Sequence, residues 1–120
     1  MDEHAPTGYR VEDVQTVSTH GKEVVNLETR RRQTRTITRI IVLGEHLEVN
    51  ALMVIAIEGC APRVFSMVSF VPCHGHHSEP LSENKIIPLI INENSVWQVR
   101  MQNTTGDYTF YLEGFLDWNW

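Results

Sequence analysis

The residues best suited to chemistry in this 120-residue chain are the cysteine and histidines of one short segment, Cys73-His-Gly-His-His77. Neutral imidazole and thiolate are ligands that zinc and other transition metals favour in proteins. A structural zinc site takes ligand pairs from two separate elements, whereas here Cys73, His74, His76 and His77 crowd one segment. The segment is a candidate metal site, and the alternative is an exposed polar loop that binds neither metal nor cofactor.

The pair His74-Gly-His76 resembles the start of the metal motif of the cupins, a jelly-roll family. In that family a glutamate follows after three or four residues, and a further histidine comes late in a second motif. Here Glu79 and Glu83 follow His76 after two and six residues, and no histidine follows His77. The resemblance implies a metal-binding cupin-like domain as an alternative function, without the complete cupin ligand set.

A second candidate site is a basic cluster with five of the ten lysine and arginine residues: Arg30, Arg31, Arg32, Arg35 and Arg39. Such a cluster can bind phosphate groups or an acidic protein surface. We expect no nucleic acid binding, because the net charge is -5 and no aromatic residues are interleaved with the arginines. The cluster is either a solvated corner or a docking site for an acidic partner subunit, with Arg30, Arg31, Arg32 and Arg35 as contacts. In a regular strand, Arg35 and Arg39 share one face with Ile37.

The elements that must position these residues are β-strands, since apolar segments of strand length alternate with turn formers along the chain. The predicted strands are residues 9–17, 23–28, 34–43, 47–58, 63–71, 85–91, 96–103 and 108–118. We expect an all-β, eight-stranded antiparallel sandwich of jelly-roll type. Residues 1–20 form an N-terminal arm and possible first strand, and residues 21–120 form the sandwich. Residues 103–107 predict a hairpin turn between the last two strands.

Two apolar segments indicate a surface that needs a partner. The middle of residues 47–58 is apolar on both faces. The run Ile86-Ile-Pro-Leu-Ile-Ile91 contains Pro88, which cannot donate a ladder hydrogen bond and so belongs on an edge or at a bulge. An uncovered apolar edge strand tends to associate. We therefore expect a homo-oligomer with Pro88 and Ile90 at a partner contact.

The two cysteines, Cys60 and Cys73, are separated by a predicted strand, so we expect free thiols. No apolar run reaches the roughly 18 residues of a membrane helix, and the N-terminal residues lack the pattern of a secretory signal. These features predict a cytoplasmic protein that does not bind membranes.

The closing segment Thr109-Phe-Tyr-Leu-Glu-Gly-Phe-Leu-Asp117, at the end of an eight-strand pattern with a polar arm, resembles the small jelly-roll structural proteins of tailed bacteriophages. The resemblance is to capsid decoration or cement proteins. It implies a homo-oligomer made in the host cytoplasm and held on the virion by a major capsid protein, with no catalysis. A carbohydrate-binding β-sandwich module that uses the C-terminal aromatic residues is a further alternative.

The metal content of the protein tests the candidate site at Cys73 and the histidines after it. We expect elemental analysis of protein purified without a histidine tag to find no stoichiometric zinc or other transition metal, because the ligand spacing is not that of a metal site. Stoichiometric metal that is lost from a His74→Ala/His76→Ala variant contradicts this expectation.

Overall fold

Nine antiparallel β-strands form the protein in a computed structural model that describes residues 8–19, 24–44, 46–73 and 80–119. The strands are β1 (Gly8–Ser18), β2 (Val24–Glu28), β3 (Gln33–Leu43), β4 (Leu52–Ile57), β5 (Arg63–Ser66), β6 (Val71–Cys73), β7 (Leu81–Ile91), β8 (Val96–Gln102) and β9 (Thr109–Asn119). A single 3₁₀ turn, Met67–Ser69, separates β5 from β6, and the described ranges contain no α-helix. The prediction of an all-β antiparallel sandwich is confirmed.

The strands pair as in a long hairpin that is rolled up, the arrangement of a jelly roll. The first strand pairs with the last, β2 with β8, β3 with β7, and β4 with β5. The result is a five-stranded sheet, β1-β9-β3-β7-β6, packed on a four-stranded sheet, β2-β8-β4-β5. β1 belongs to the larger sheet, so the described part of the chain is within the sandwich from Gly8 onward.

The core lies between the two sheets and follows the two-residue period of the strands. The larger sheet contributes side chains such as Ile37, Ile40, Phe110 and Leu112, which are fully buried. The smaller sheet contributes Met53, Ile55, Trp97, Val99 and Met101. Val54, between Met53 and Ile55, is also buried although it points away from the core, with Val64 and Arg100 as its cross-strand neighbours. The segment that is apolar on both faces thus has one side chain, Val54, buried on its outer face within the single chain.

One predicted hairpin and two predicted strands differ from the structure, because the chain changes sheet at or beside these points. The predicted hairpin at residues 103–107 is wrong: β8 and β9 lie in different sheets, so these residues cross the sandwich. Residues 47–51 precede β4 as a turn in which the Ala51 N–H donates to the Glu48 carbonyl over 3.1 Å. The predicted strand 63–71 is broken by the 3₁₀ turn, through which the chain passes from the smaller to the larger sheet.

Two bulges interrupt the larger sheet at the height of Thr38. β3 has one extra residue, Thr38, relative to β9, and β7 has residues 86–88 opposite that single threonine. Pro88 therefore lies at a bulge, as predicted. Because a strand alternates its faces residue by residue, the extra residue in β3 moves every later side chain to the opposite face. Arg35 consequently shares the inner face with Ile37, whereas Arg39 lies on the outer face, and the prediction that the two arginines share a face is wrong.

Gly114 allows the β3 and β9 backbones to meet beside this bulge. A Cβ atom at Gly114 would collide with the carbonyl oxygen of Thr36 on the neighbouring strand. Gly44 is a matched control, because a Cβ atom there would make only an ordinary 3.7 Å contact with Leu47 Cδ2. The close approach makes Gly114 a constraint on the central ladder of the sheet.

We expect Gly114→Ala to lower the free energy of unfolding by about 3 kcal/mol, because the added methyl group forces the two strands apart. Gly44→Ala should change it by less than about 1 kcal/mol. Urea unfolding followed by tryptophan fluorescence measures both. Equal stabilities of the two variants would show that the ladder tolerates a side chain at Gly114.

Candidate functional site

The arginines predicted as a cluster are divided among three places in the structure. Arg30, Arg31 and Arg32 are exposed in the turn between β2 and β3. Arg35 points to the inner face and donates to the Asp13 carboxylate over 2.8 Å, with 11% of its side chain exposed. Arg39, on the outer face, contacts Glu83 and Glu113 at 2.7 Å each. Arg35 and Arg39 are thus held by carboxylates of their own chain.

Backbone hydrogen bonds hold the turn with the three remaining arginines, which we call the basic turn (residues 30–32). Arg32 has a left-handed backbone, with φ of 66°. Its N–H donates to a Glu93 carboxylate oxygen, and its carbonyl accepts from the Asn119 N–H over 2.7 Å. None of the three guanidinium groups forms an ion pair with the described residues. The basic turn is a fixed loop that presents three positive charges to solvent.

The predicted metal site lies mostly outside the described residues, since His74, His76 and His77 all fall there. Cys73, at the end of β6, is half-buried opposite Leu81. Burial raises the pKa of its thiol above the usual range, and the nearby Glu83 carboxylate raises that pKa further. Cys60 is exposed in the turn after β4, and both thiols are free. No group of three or more histidine, cysteine or acidic residues is placed to hold a metal ion in the described ranges.

A depression of about 450 Å³ beside β1 and β9 is lined by Glu12, Asp13, Val14, Thr38, Glu113, Gly114 and Phe115. Two of its three carboxylates are already occupied: Asp13 accepts from Arg35, and Glu113 accepts from Arg39. Carboxylates that are held by arginines in this way make charge-assisted hydrogen bonds that stabilise the sheet.

The exposed apolar side chains are concentrated on the two lateral sides of the sandwich, where the edge strands lie. We define the β7 side as β5, the 3₁₀ turn, β6 and residues 84–91; its exposed apolar residues are Val64, Val68, Val71, Ile87 and Ile90. We define the β1 side as strand β1; its exposed apolar residues are Tyr9, Val11 and Val14. These are eight of the eleven large exposed hydrophobic residues in the described ranges. Such patches mark surfaces that bind other macromolecules.

The β7 side contains the predicted contact residues Pro88 and Ile90, both exposed, and Ile87 beside them is 79% exposed. β6 pairs with β7 only up to Glu83, so residues 84–91 form an open edge among the described residues. The Arg63 guanidinium reaches this edge from β5 and donates to the Ile87 carbonyl over 3.2 Å. Lys85 is also exposed there. The β7 side is therefore apolar, with two positive charges on its open edge.

The β1 side is held firmly on β9 by its side chains. Arg10 makes two hydrogen bonds to the Asp117 carboxylate, of 2.7 and 3.0 Å, and these lower the pKa of that carboxyl group. The Arg10 guanidinium also lies 4.8 Å from the centre of the Phe115 ring. On the opposite face of the sheet, Tyr9 stacks on Trp118. The outer edge of β1 pairs with no described strand, although the strand is 11 residues long and pairs without interruption on its other side.

Sequence reasoning missed the β1 side because Tyr9, Val11 and Val14 do not keep a single two-residue period. It also missed Lys85 and Arg63, although a lysine next to an apolar, proline-containing segment is a known signal of an edge strand. Pro88 alone was sufficient to find the β7 side.

Comparison with protein-family models, with curated proteins and with solved structures finds no match to this chain. In the described ranges, no helix has the length and apolar character to cross a membrane.

The pairing of Arg35 with Asp13 predicts that this arginine stabilises the fold. We expect Asp13→Asn to lower the free energy of unfolding by about 1–2 kcal/mol, because it leaves a largely buried guanidinium without its anion. Glu12→Gln, next to it but without an ion pair to the described residues, should have an effect under about 0.5 kcal/mol. Urea unfolding at neutral pH measures both variants. Equal effects would indicate that Arg35 is free to bind a partner.

Proposed function

We propose that this protein is a non-enzymatic structural subunit that binds neighbouring protein subunits in an assembly. The observation that carries the proposal is the concentration of exposed apolar residues on the β1 and β7 sides. Both sides also have edges that pair with no other described strand over part or all of their length, and such edges are a template for association with another chain. Burial of such a surface between subunits stabilises an assembly through the hydrophobic effect.

The assembly that we propose is a virion, with the chain as a capsid decoration protein. The jelly-roll order supports this class, because viral capsid proteins use it, although lectins and cupins use it as well. In this proposal the basic turn docks on an acidic surface of the capsid protein. Three arginines on a backbone held by Glu93 and Asn119 suit that role, since little ordering of the loop backbone remains to oppose binding.

The engaged carboxylates favour this proposal over an enzymatic function. Arg35 and Arg39 are balanced by Asp13, Glu83 and Glu113, so these charged groups of the larger sheet satisfy one another. The groups available to bind another subunit are therefore the exposed apolar residues of the two lateral sides and the exposed arginines of the basic turn. A structural subunit needs such surfaces and no reactive centre.

We expect the purified chain to sediment as an oligomer at micromolar concentration, and Ile87→Glu to weaken association roughly tenfold or more, because it places a charge in an apolar contact. Val96→Glu is the control, since Val96 is 48% exposed but lies on β8, between β2 and β4 in the smaller sheet. Analytical ultracentrifugation over a concentration series measures both variants. A wild-type protein that is only a stable 13.8 kDa monomer contradicts the proposal of self-association.

A further inference from the structure

We infer that the β7 side binds the β1 side of a second copy of this chain, so that copies join head to tail through the larger sheet. The inference rests on the proposed function and names the partner of the β7 side. Three properties of the two sides support it: the direction of their strands, the position of their open edges and their charge.

The direction of the strands favours this contact without any inversion of the second copy. In the larger sheet β1 is antiparallel to β9, β9 to β3, and β3 to β7. β1 and β7 therefore run in opposite directions. A neighbour in the same orientation places its β1 antiparallel to β7, which is the more stable pairing of two strands. Two strands that run in the same direction would meet in the less favourable parallel arrangement.

The open stretch of β7, residues 84–91, is level with residues 11–15 of β1, whereas residues 16–18 are level with the part of β7 that β6 covers, so the contact is confined to the first part of β1. Following the cross-strand pairs, Glu12 is level with Phe115, Thr36 and then Ile90. By the same path Val14 is level with Lys85. A copy added at this level brings Val14 opposite Lys85 and Glu12 opposite Ile90 on the outer face of the sheet. Glu12 and Lys85 are then diagonal neighbours across the new strand pair, within reach of long side chains.

The charges of the two sides are complementary. The edge of β7 carries Lys85 and the guanidinium of Arg63, while β1 carries the carboxylates of Glu12 and Asp13. Asp13 is shared with Arg35, but Glu12 is exposed and forms no ion pair with the described residues. A contact between two β1 sides around Asp13 would place like charges together, as would a contact between two β7 sides around Lys85. Complementary charge therefore favours contact between a β1 side and a β7 side over contact between two β1 sides or two β7 sides.

A single mixed contact also covers both apolar sides, whereas a symmetric dimer leaves one side exposed. A head-to-tail contact closes into a ring if the rotation between copies permits it. Pro88 and the bulge at residues 86–88 limit backbone pairing mainly to residues 89–91, because proline has no N–H to donate and β6 already covers residues 81–83 on the other side of the bulge. The side chains of Ile87 and Ile90 then supply the apolar part of the contact.

Charge reversal tests the inference. We expect Glu12→Lys and Lys85→Glu, each alone, to weaken self-association by about threefold to thirtyfold, because each places like charges across the contact. An equimolar mixture of the two variants should recover association, because each copy then meets neighbours of opposite charge on both sides. Glu58→Lys, which makes the same charge change in the exposed turn after β4, is the control and should associate as the wild type does.

If only Glu12→Lys weakens association, two β1 sides meet; if only Lys85→Glu does, two β7 sides meet. Either result, or a mixture that does not recover, overturns the inference and leaves the proposed function standing. A wild-type protein that remains a monomer at all concentrations overturns both. Sedimentation of each variant and of the mixture, at low salt where exposed charges act most strongly, is the measurement.

Cysteine cross-linking gives a second measurement that does not depend on weak electrostatics. In a Cys60→Ser/Cys73→Ser background, Val14→Cys and Lys85→Cys are introduced alone and together. We expect neither single variant to form a disulfide dimer on mild oxidation. The mixture of the two should give dimers only, and the double variant should give longer covalent oligomers. A disulfide dimer from either single variant, or no cross-link in an associated double variant, overturns the head-to-tail contact.

Discussion

The structure depends on the pairing of the last strand, β9, with β1 on one side and β3 on the other. Both ladders run the full length of β9 and join parts of the chain that are far apart in sequence. Phe110 and Leu112 of β9 are buried at the centre of the core. Because the first and last strands are neighbours, the sandwich closes only when nearly the whole chain is in place. A topology of this kind folds slowly, since distant segments must meet before the burial of apolar surface stabilises their contact.

The irregularity at Thr38 decides how charge is distributed over this sheet. One extra residue in β3 places Arg35 on the inner face and Arg39 on the outer face. Arg35 then pairs with Asp13 of β1 across β9, Arg39 pairs with Glu83 of β7 and Glu113 of β9, and these ion pairs tie the four strands together. Gly114 permits the close approach of the backbones that the bulge requires. The same local distortion thus satisfies charged groups that a regular strand would leave on one face.

The arginines and carboxylates of the larger sheet largely pair with one another. The lateral sides of the sandwich, by contrast, carry most of the large exposed apolar residues in the described ranges. An edge strand with open hydrogen-bonding groups and exposed isoleucine or valine side chains is a liability in a monomer. On the β7 side, Lys85, Pro88 and the bulge hinder pairing with another strand, but they leave the Ile87 side chain exposed. β1 has a long, unbulged edge that lacks proline. In the proposed assembly, the β1 side of one copy covers the β7 side of the next, so that neither apolar edge stays exposed.

The amino-acid pattern by itself determined the fold class, most strand positions and the place of the exposed, irregular edge at Pro88. Alternating apolar residues around Phe110, Met53 and Val99 report directly on one buried face, and Pro88 signals an edge or bulge through its missing N–H. Only the tertiary structure decided that residues 103–107 join different sheets, that Arg35 and Arg39 lie on opposite faces, and that the outer edge of β1 pairs with no described strand. These features depend on strand order and on one inserted residue, which are set by contacts between distant segments. Local periodicity carries no information about such contacts.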